Sequence, residues 1–169
     1  MYSVRPVPCK IRERHFVLFC LGGCVRKTKM RVYVDGVWDM FHVGHLKCLE
    51  YARAYSEGLE KEGELIVGVV SDEDAASYKR TPIIPHEERC QIVRSLRIVS
   101  KVIPACPLVV TRDFLAQHGI DRVVHGFAND ADRQKQARFF EDLGDAFQEI
   151  PYTAGVSTTE LMRRIAGNI

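Results

Sequence analysis

From Arg31 onward, short apolar runs alternate with stretches whose apolar residues fall three or four apart. Val32, Tyr33 and Val34 are β-branched or aromatic with no breaker among them, which predicts a strand, and Asp35-Gly36 is a turn signal. After His42-Val43-Gly44-His45, the spacing of Leu46, Leu49, Tyr51 and Ala52 predicts a helix. Residues 64–70 (ELIVGVV) are continuously apolar, as in a strand covered on both faces of a parallel sheet. Ser71-Asp72 leads into a short polar helix through Ala75 and Ala76, and residues 79–85 form a loop closed by Pro85. A helix over 87–96 turns Ile92, Val93 and Leu96 inward, and 101–104 is a short strand. Thr111 is the N-cap of a helix that carries Phe114 and Leu115 and ends at Gly119. Strand 121–125 is halted by Gly126, a helix spans 131–143, and 147–150 is the last strand. A closing helix over 157–165 has Leu161, Met162 and Ile165 on one side. This βαβαβ order predicts a single-domain α/β fold built on a doubly wound parallel sheet.

Composition narrows the class without changing that picture. The chain has 169 residues, 46% hydrophobic and 27% charged, ordinary values for a globular protein with a proper core. A net charge of +2 gives no electrostatic footprint for nucleic acid or an anionic membrane. Cys9, Cys20, Cys24, Cys48, Cys90 and Cys106 show no paired CxxC spacing, which argues against structural zinc and for reduced thiols in a cytoplasmic protein. Residues 1–29 are read as an extension, either an edge strand or a partly disordered segment, with the domain proper over 30–169. Within the extension, HFVLFCLGG (15–23) is apolar but falls far short of the roughly 20 residues that span a bilayer. Its basic start and short apolar run only mimic a signal peptide.

Ligands of doubly wound sheets sit outside the carboxyl ends of the strands. The polar groups expected there are Asp35 to His45, Ser71 to Lys79, His125-Gly126, and Thr153-Ala154-Gly155-Val156-Ser157-Thr158. Two of these segments lead into helix N-termini, where free N–H groups and the macrodipole favour phosphate. Two imidazoles three residues apart at the first, and hydroxyls at the second, point to a polyphosphate and hence a nucleotide. Neither GxxxxGK[ST] nor GxGxxG is present to explain it another way.

DGVWDMFHVGH resembles the signature of the cytidylyltransferases that make CDP-alcohols, within the HxGH nucleotidyltransferase superfamily. The resemblance continues in family order through LIVGVVSDED, Tyr78-Lys79, PHEER (85–89), VIPACP (102–107), VVHG (123–126) and AGVSTTEL (154–161). It implies a Rossmann-like fold, CTP with Mg²⁺ and a phospho-alcohol as substrates, a homodimer, no nucleic acid and no integral membrane segment. His42 and His45 would hold the CTP phosphates and stabilise charge as pyrophosphate leaves. Lys79 would grip the phosphate of the attacking phospho-alcohol, and Arg89 would support the phosphates or the loop that carries them. Asp39 would orient the signature loop, and the Val37-Trp38 backbone would lie against the nucleotide. His125, Gly126 and Tyr152 to Thr158 (Thr153, Ala154, Gly155, Val156, Ser157) would hold cytidine and its phosphates. Asp35, with Lys79, His125 and Leu108, would meet the alcohol. The chemistry needs no covalent intermediate: a phosphomonoester oxygen attacks the α-phosphorus in line, and catalysis is positioning and charge stabilisation. The protein contributes no metal ligand in this reading, Mg²⁺ being carried by the CTP phosphates.

Each residue also has a plainer role open to it. His42 and His45 serve equally as a helix cap and a surface side chain, Lys79-Arg80 as a solvated pair, and Arg89 as a helix-surface ion pair. His125 suits a backbone-bonded core histidine, Ser157-Thr158 an N-cap, and Trp38 packing as well as stacking. Two departures from the family pattern bear on substrate. Tyr152 stands where the family's RTxGxST has arginine, removing one charged contact. Leu108 follows Cys106-Pro107 where choline enzymes resemble APW, so it offers no cation–π face. With VHG at 124–126, ethanolamine phosphate ranks ahead of choline phosphate and glycerol 3-phosphate. Alternatives are an impaired, nucleotide-binding domain of the same family and an adenylyltransferase of the same superfamily.

Overall fold

In the computed structural model, residues 29–59 and 63–167 are described. Five strands form one all-parallel sheet in the order β3-β2-β1-β4-β5. They are β1 (Arg31–Gly36), β2 (Glu64–Val69), β3 (Lys101–Pro104), β4 (Arg122–His125) and β5 (Phe147–Glu149). The helices are α1 (Val43–Leu59), α2 (Asp72–Tyr78), α3 (His86–Arg94), α4 (Arg112–His118), α5 (Asp130–Gln136) and α6 (Thr158–Ala166). The expected doubly wound α/β architecture is present. The reading of residues 1–28 lies outside the described residues.

Alternation along β1 sorts the core. Val32 and Val34 point to one face, where Leu65 and Val67 of β2 meet Leu49 and Ala52 of α1 and Val93 of α3. Tyr33 points to the other, among Ile66, Val123, Phe114, Leu115, Phe139 and Leu143. The register Val32↔Leu65 and Val34↔Val67 keeps like faces together. Because both faces are covered, β2 reads as an unbroken apolar run, with Leu65, Val67 and Val69 fully buried. Each such side chain contributes roughly 1.5–3 kcal/mol by leaving water.

The helix stops follow local chemistry. Thr111 Oγ1 accepts from the Phe114 N–H at 3.2 Å, and Gly119 closes α4 in the left-handed region at φ 63°. One expectation needs correction. The helix read over 131–143 is α5 followed by a 3₁₀ stretch, Ala137–Ala146, kinked where Gly144 takes φ 49°. The closing helix forms as expected, with Leu161 and Met162 half-buried and Ile165 49% exposed. Strand order reverses between β1, which leads to β2 and β3, and β4, which leads to β5. That switch point opens a crevice at the carboxyl ends of β1 and β4.

Candidate active site

A cleft of about 520 Å³ occupies the switch point. Its floor is Asp35 at the end of β1 and His125 at the end of β4, joined by a 3.1 Å contact from Asp35 Oδ1 to His125 Nδ1. Neighbouring parallel strands place the two side by side, through the pairing Tyr33↔Val123. The plainer reading of His125 as backbone-bonded therefore gives way to a carboxylate partner.

The wall above is the signature loop and the start of α1. His42 accepts at Nδ1 from the N–H of Gly44 at 3.1 Å and of His45 at 3.4 Å, so it caps the helix it precedes. An imidazole that accepts at Nδ1 carries its proton on Nε2 when neutral, which leaves Nε2–H as a donor. Burial holds the His42 pKa below its ordinary value. Burial, then His42 and Lys79, push that of His45 down to about 3. The two rings stack with centroids 3.8 Å apart, and the Trp38 indole meets His45 edge-on at 5.4 Å. His45 Nδ1 is buried without a hydrogen-bond partner. Both histidines are thus neutral near neutral pH, and His42 keeps an Nε2–H to donate. Gly44 permits this arrangement, because a Cβ there would lie 2.9 Å from His42 Cε1 and 3.0 Å from Val156 Cγ1. Trp38 packs rather than stacks on a ligand: it is 3% exposed, and its Nε1–H donates to Gly68 O at 2.8 Å. That anchor holds it at φ 58°, where a bulky residue is strained.

Two buried groups staple the signature loop to the loop after α2. Asp39 accepts from the N–H of Ile84 at 2.9 Å, the N–H of Ile83 at 3.1 Å and Arg80 Nη2 at 2.8 Å. Burial opposes ionisation of Asp39, but these donors prevail and hold its carboxyl below the ordinary range. Arg89 is fully buried and donates to Ile84 O at 2.9 Å, to Val37 O and to Asp72. Asp39 therefore grips the N–H of Ile84 while Arg89 grips its carbonyl. The loop they fix begins at Lys79, the C-cap of α2. Burial lowers the Lys79 pKa, while Asp132 and Asp35 pull it upward. Lys79 is exposed as a residue and lines the cleft, with its ammonium 5.2 Å from the centre of the Tyr78 ring.

The far side comes from the segment after β5 and the start of α6. Tyr152, Thr153, Ser157 and Thr158 line the cleft. Ser157 Oγ caps α6 by accepting from the Glu160 N–H at 3.1 Å, and Thr158 Oγ1 donates to Asp39 O at 3.0 Å. The Ser157 and Thr158 hydroxyls are therefore already engaged within the protein.

Of the residues singled out from sequence, Asp35, Val37, Trp38, Asp39, His42, His45, Lys79, His125, Gly126, Tyr152, Thr153, Ser157 and Thr158 come together around the cleft. Ala154 and Gly155 form an exposed turn, and Val156 packs on Gly44, so these three do not line it. Arg89 is buried behind the signature loop and bonded through all three nitrogens to Ile84, Val37 and Asp72. This fits its expected role of supporting the loop and keeps it off the cleft lining. Leu108 packs against the core around Tyr33 and Phe114 and is not among the residues lining the cleft. Sequence reasoning missed Arg80, Asp132 and Gln136, which also line the cleft. Asp132 accepts from the Ala128 N–H at 3.0 Å and from Gln136. Asp132 fell within the helix read over 131–143, whose N-cap in the structure is Asn129, its Oδ1 accepting from the Asp132 N–H at 2.9 Å.

Comparison with known proteins agrees with this geometry. A family model described as cytidylyltransferase-like matches residues 33–164. The chain is 39% identical over 139 residues to ethanolamine-phosphate cytidylyltransferase of Mus musculus, covering 80% of this chain and 32% of that protein. It is 34% identical over 158 residues to ethanolamine-phosphate cytidylyltransferase of Arabidopsis thaliana, covering 88% and 35%. Choline-phosphate cytidylyltransferase 2 of the same plant is 34% identical over 140 residues, covering 80% and 44%. The chain thus spans between about a third and under half of the length of these relatives. The solved lipopolysaccharide core biosynthesis protein from Thermoplasma volcanium GSS1 shares the fold, with a TM-score of 0.54 at 22% identity, covering 75% of this chain and 98% of that one. With its stacked histidines at a capped helix start and a family match that runs from β1 into α6, the chain belongs to the cytidylyltransferase-like family.

Proposed function

We propose that this chain transfers CMP from CTP to a phospho-amino-alcohol, with phosphoethanolamine the best fit, releasing pyrophosphate. The observation that carries the reading is the convergence of His42, His45 and Lys79 on one cleft between two helix N-termini. In the step, an oxygen of the phosphomonoester forms a bond to the α-phosphorus of CTP. The bond from that phosphorus to the bridging oxygen breaks, and its electron pair leaves with pyrophosphate. His42 and His45, neutral and donating, meet charge that grows on the leaving group, which is worth most in a site partly shielded from water. Lys79 holds the attacking phosphate in line. CTP is taken as its Mg²⁺ complex, the metal riding on the phosphates and neutralising them. The cleft carboxylates suit that arrangement, since Asp35 is engaged by His125 and Asp132 by Gln136.

The charge layout favours an amino-alcohol over glycerol 3-phosphate. Asp35 and Asp132 both act on the Lys79 ammonium, so a cation and two carboxylates face one another across the acceptor half of the cleft. A zwitterion with phosphate toward Lys79 and ammonium toward the carboxylates complements that pattern. Homodimer formation and a cytoplasmic setting accompany this reading through the resemblance; among the described residues no helix is long and apolar enough to cross a membrane. The test is pyrophosphate release with CTP and Mg²⁺ against phosphoethanolamine, phosphocholine and glycerol 3-phosphate in parallel, with His45→Ala as control. Turnover with phosphoethanolamine, lost in the variant, is expected. No release with any alcohol would leave the second reading, a nucleotide-binding domain without catalysis, which the uncharged Tyr152 in the cleft wall favours.

A further inference from the structure

The cleft has an uneven supply of charge. His42 and His45 are held neutral, and Tyr152 contributes no charge. Among the described lining residues, Lys79 and Arg80 are the permanent cations. They are adjacent in sequence but serve different walls. Lys79 acts electrostatically with Asp132 and Asp35, on the α5 and β1 side. Arg80 pairs at 2.8 Å with Asp39, whose own carbonyl receives the Thr158 hydroxyl at 3.0 Å, on the α6 side. Arg80 therefore stands with the signature loop and the α6 N-terminus, the half of the cleft assigned to nucleotide.

Its guanidinium is only partly committed. Of the five N–H groups an arginine offers, one goes to Asp39 and one to Thr81 O at 3.0 Å, leaving three. Its side chain is 36% exposed, so those groups are accessible. Asp39 does not depend on it, because the Ile83 and Ile84 amides hold the same carboxylate. An arginine beside a phosphate site with open donors is suited to a forked contact that lysine cannot make.

We propose that Arg80 is a phosphate-binding residue for the CTP triphosphate, supplying from the loop after α2 the cation that position 152 lacks. The proposal rests on the cytidylyl-transfer reading above and adds to it a division of labour: Lys79 serves the acceptor phosphate and Arg80 the triphosphate. Contact with the β- and γ-phosphates would make Arg80 sensitive to how many phosphates the nucleotide carries.

The experiment compares binding of CTP and CMP by isothermal titration calorimetry, with Mg²⁺ present, in the wild type, Arg80→Ala and the double variant Arg80→Ala/Tyr152→Arg. Arg80→Ala is expected to weaken CTP by about tenfold or more while CMP changes by less than about twofold, the loss set by a charge-assisted contact. In turnover, KM for CTP should rise and KM for phosphoethanolamine stay within about twofold, since the acceptor phosphate belongs to Lys79. The double variant, which returns a guanidinium to the same cleft from the opposite wall, should recover part of the preference for CTP. Circular dichroism checks folding, and Arg80→Gln replaces Arg80→Ala if the latter unfolds. Equal weakening of CTP and CMP, or of neither, in a variant that folds overturns the assignment while leaving the transferase reading intact. A wild type that prefers CMP to CTP overturns both.

Discussion

Acidification should destabilise this domain through His45 in a way that can be isolated. His45 has an ordinary pKa of 6.5 and is pushed down to about 3 in the folded chain, first by burial and then by His42 and Lys79. A depressed histidine favours folding while neutral, so its contribution is complete above the unfolded value. It is lost as pH falls from 6.5 toward 3, because the unfolded chain takes up a proton that the folded one refuses. The slope in that window is about 1.4 kcal/mol per pH unit, so lowering the pH from 6.5 to about 5 removes roughly 2 kcal/mol. That is a large share of the roughly 5–15 kcal/mol by which a domain is stable. The perturbation is His45→Gln, which removes the titrating group. The assay is urea unfolding followed by circular dichroism at about pH 7, 6 and 5 for both proteins, with the slope of stability against pH compared. Asp39 and Asp72, whose carboxyls are held below the ordinary range, steepen both curves only near and below their unfolded value of 3.8. The wild type should lose about 2 kcal/mol more than the variant over this span. Equal slopes would refute the reasoning, since they would mean that the folded ring takes up its proton as readily as the unfolded one.

Three further outcomes follow from the same geometry. Gly44→Ala should cut turnover at least about tenfold with a modest loss of stability, because its methyl group would displace the His42 ring from 2.9 Å; kinetics beside thermal unfolding checks this. Arg89→Met should cost about 1–3 kcal/mol in urea unfolding, as it leaves the carbonyls of Val37 and Ile84 without their donor, whereas Asp72 is partly exposed and keeps the His86 N–H. Asp132→Asn should raise KM for phosphoethanolamine more than KM for CTP, since Asp132 faces Lys79 on the acceptor side; steady-state kinetics with each substrate varied separates the two.

Much of the fold was legible because its signals are local. The β1 and β2 runs needed only their unbroken apolar character, and Thr111 and Gly119 bounded α4 by capping chemistry that acts within a few residues. The helix read after β4 was less secure because Gly144 kinks it out of regular periodicity. The apolar side of α6 satisfied the helical rhythm while staying only partly buried, since periodicity reports a face and not what covers it. At the site, His42 and His45 stood out as two imidazoles three apart where a strand hands over to a helix, while the roles of Lys79 and His125 came from the family resemblance. Arg89 was singled out too, but its burial behind the loop depends on three carbonyl and carboxylate acceptors from distant segments. Arg80 and Asp132 were hidden for the opposite reason: each looks like an ordinary surface charge until tertiary packing brings α5 and the loop after α2 to the same cleft.

The central claim is tested most directly by ³¹P NMR of a reaction containing the wild-type chain, CTP, Mg²⁺ and phosphoethanolamine. The account predicts that the phosphomonoester signal declines as the paired signals of a CDP-alcohol and the signal of pyrophosphate rise together, and that His42→Ala and His45→Ala each suppress all three changes. CTP that stays intact, or that is hydrolysed to CMP while phosphoethanolamine is untouched, would contradict it.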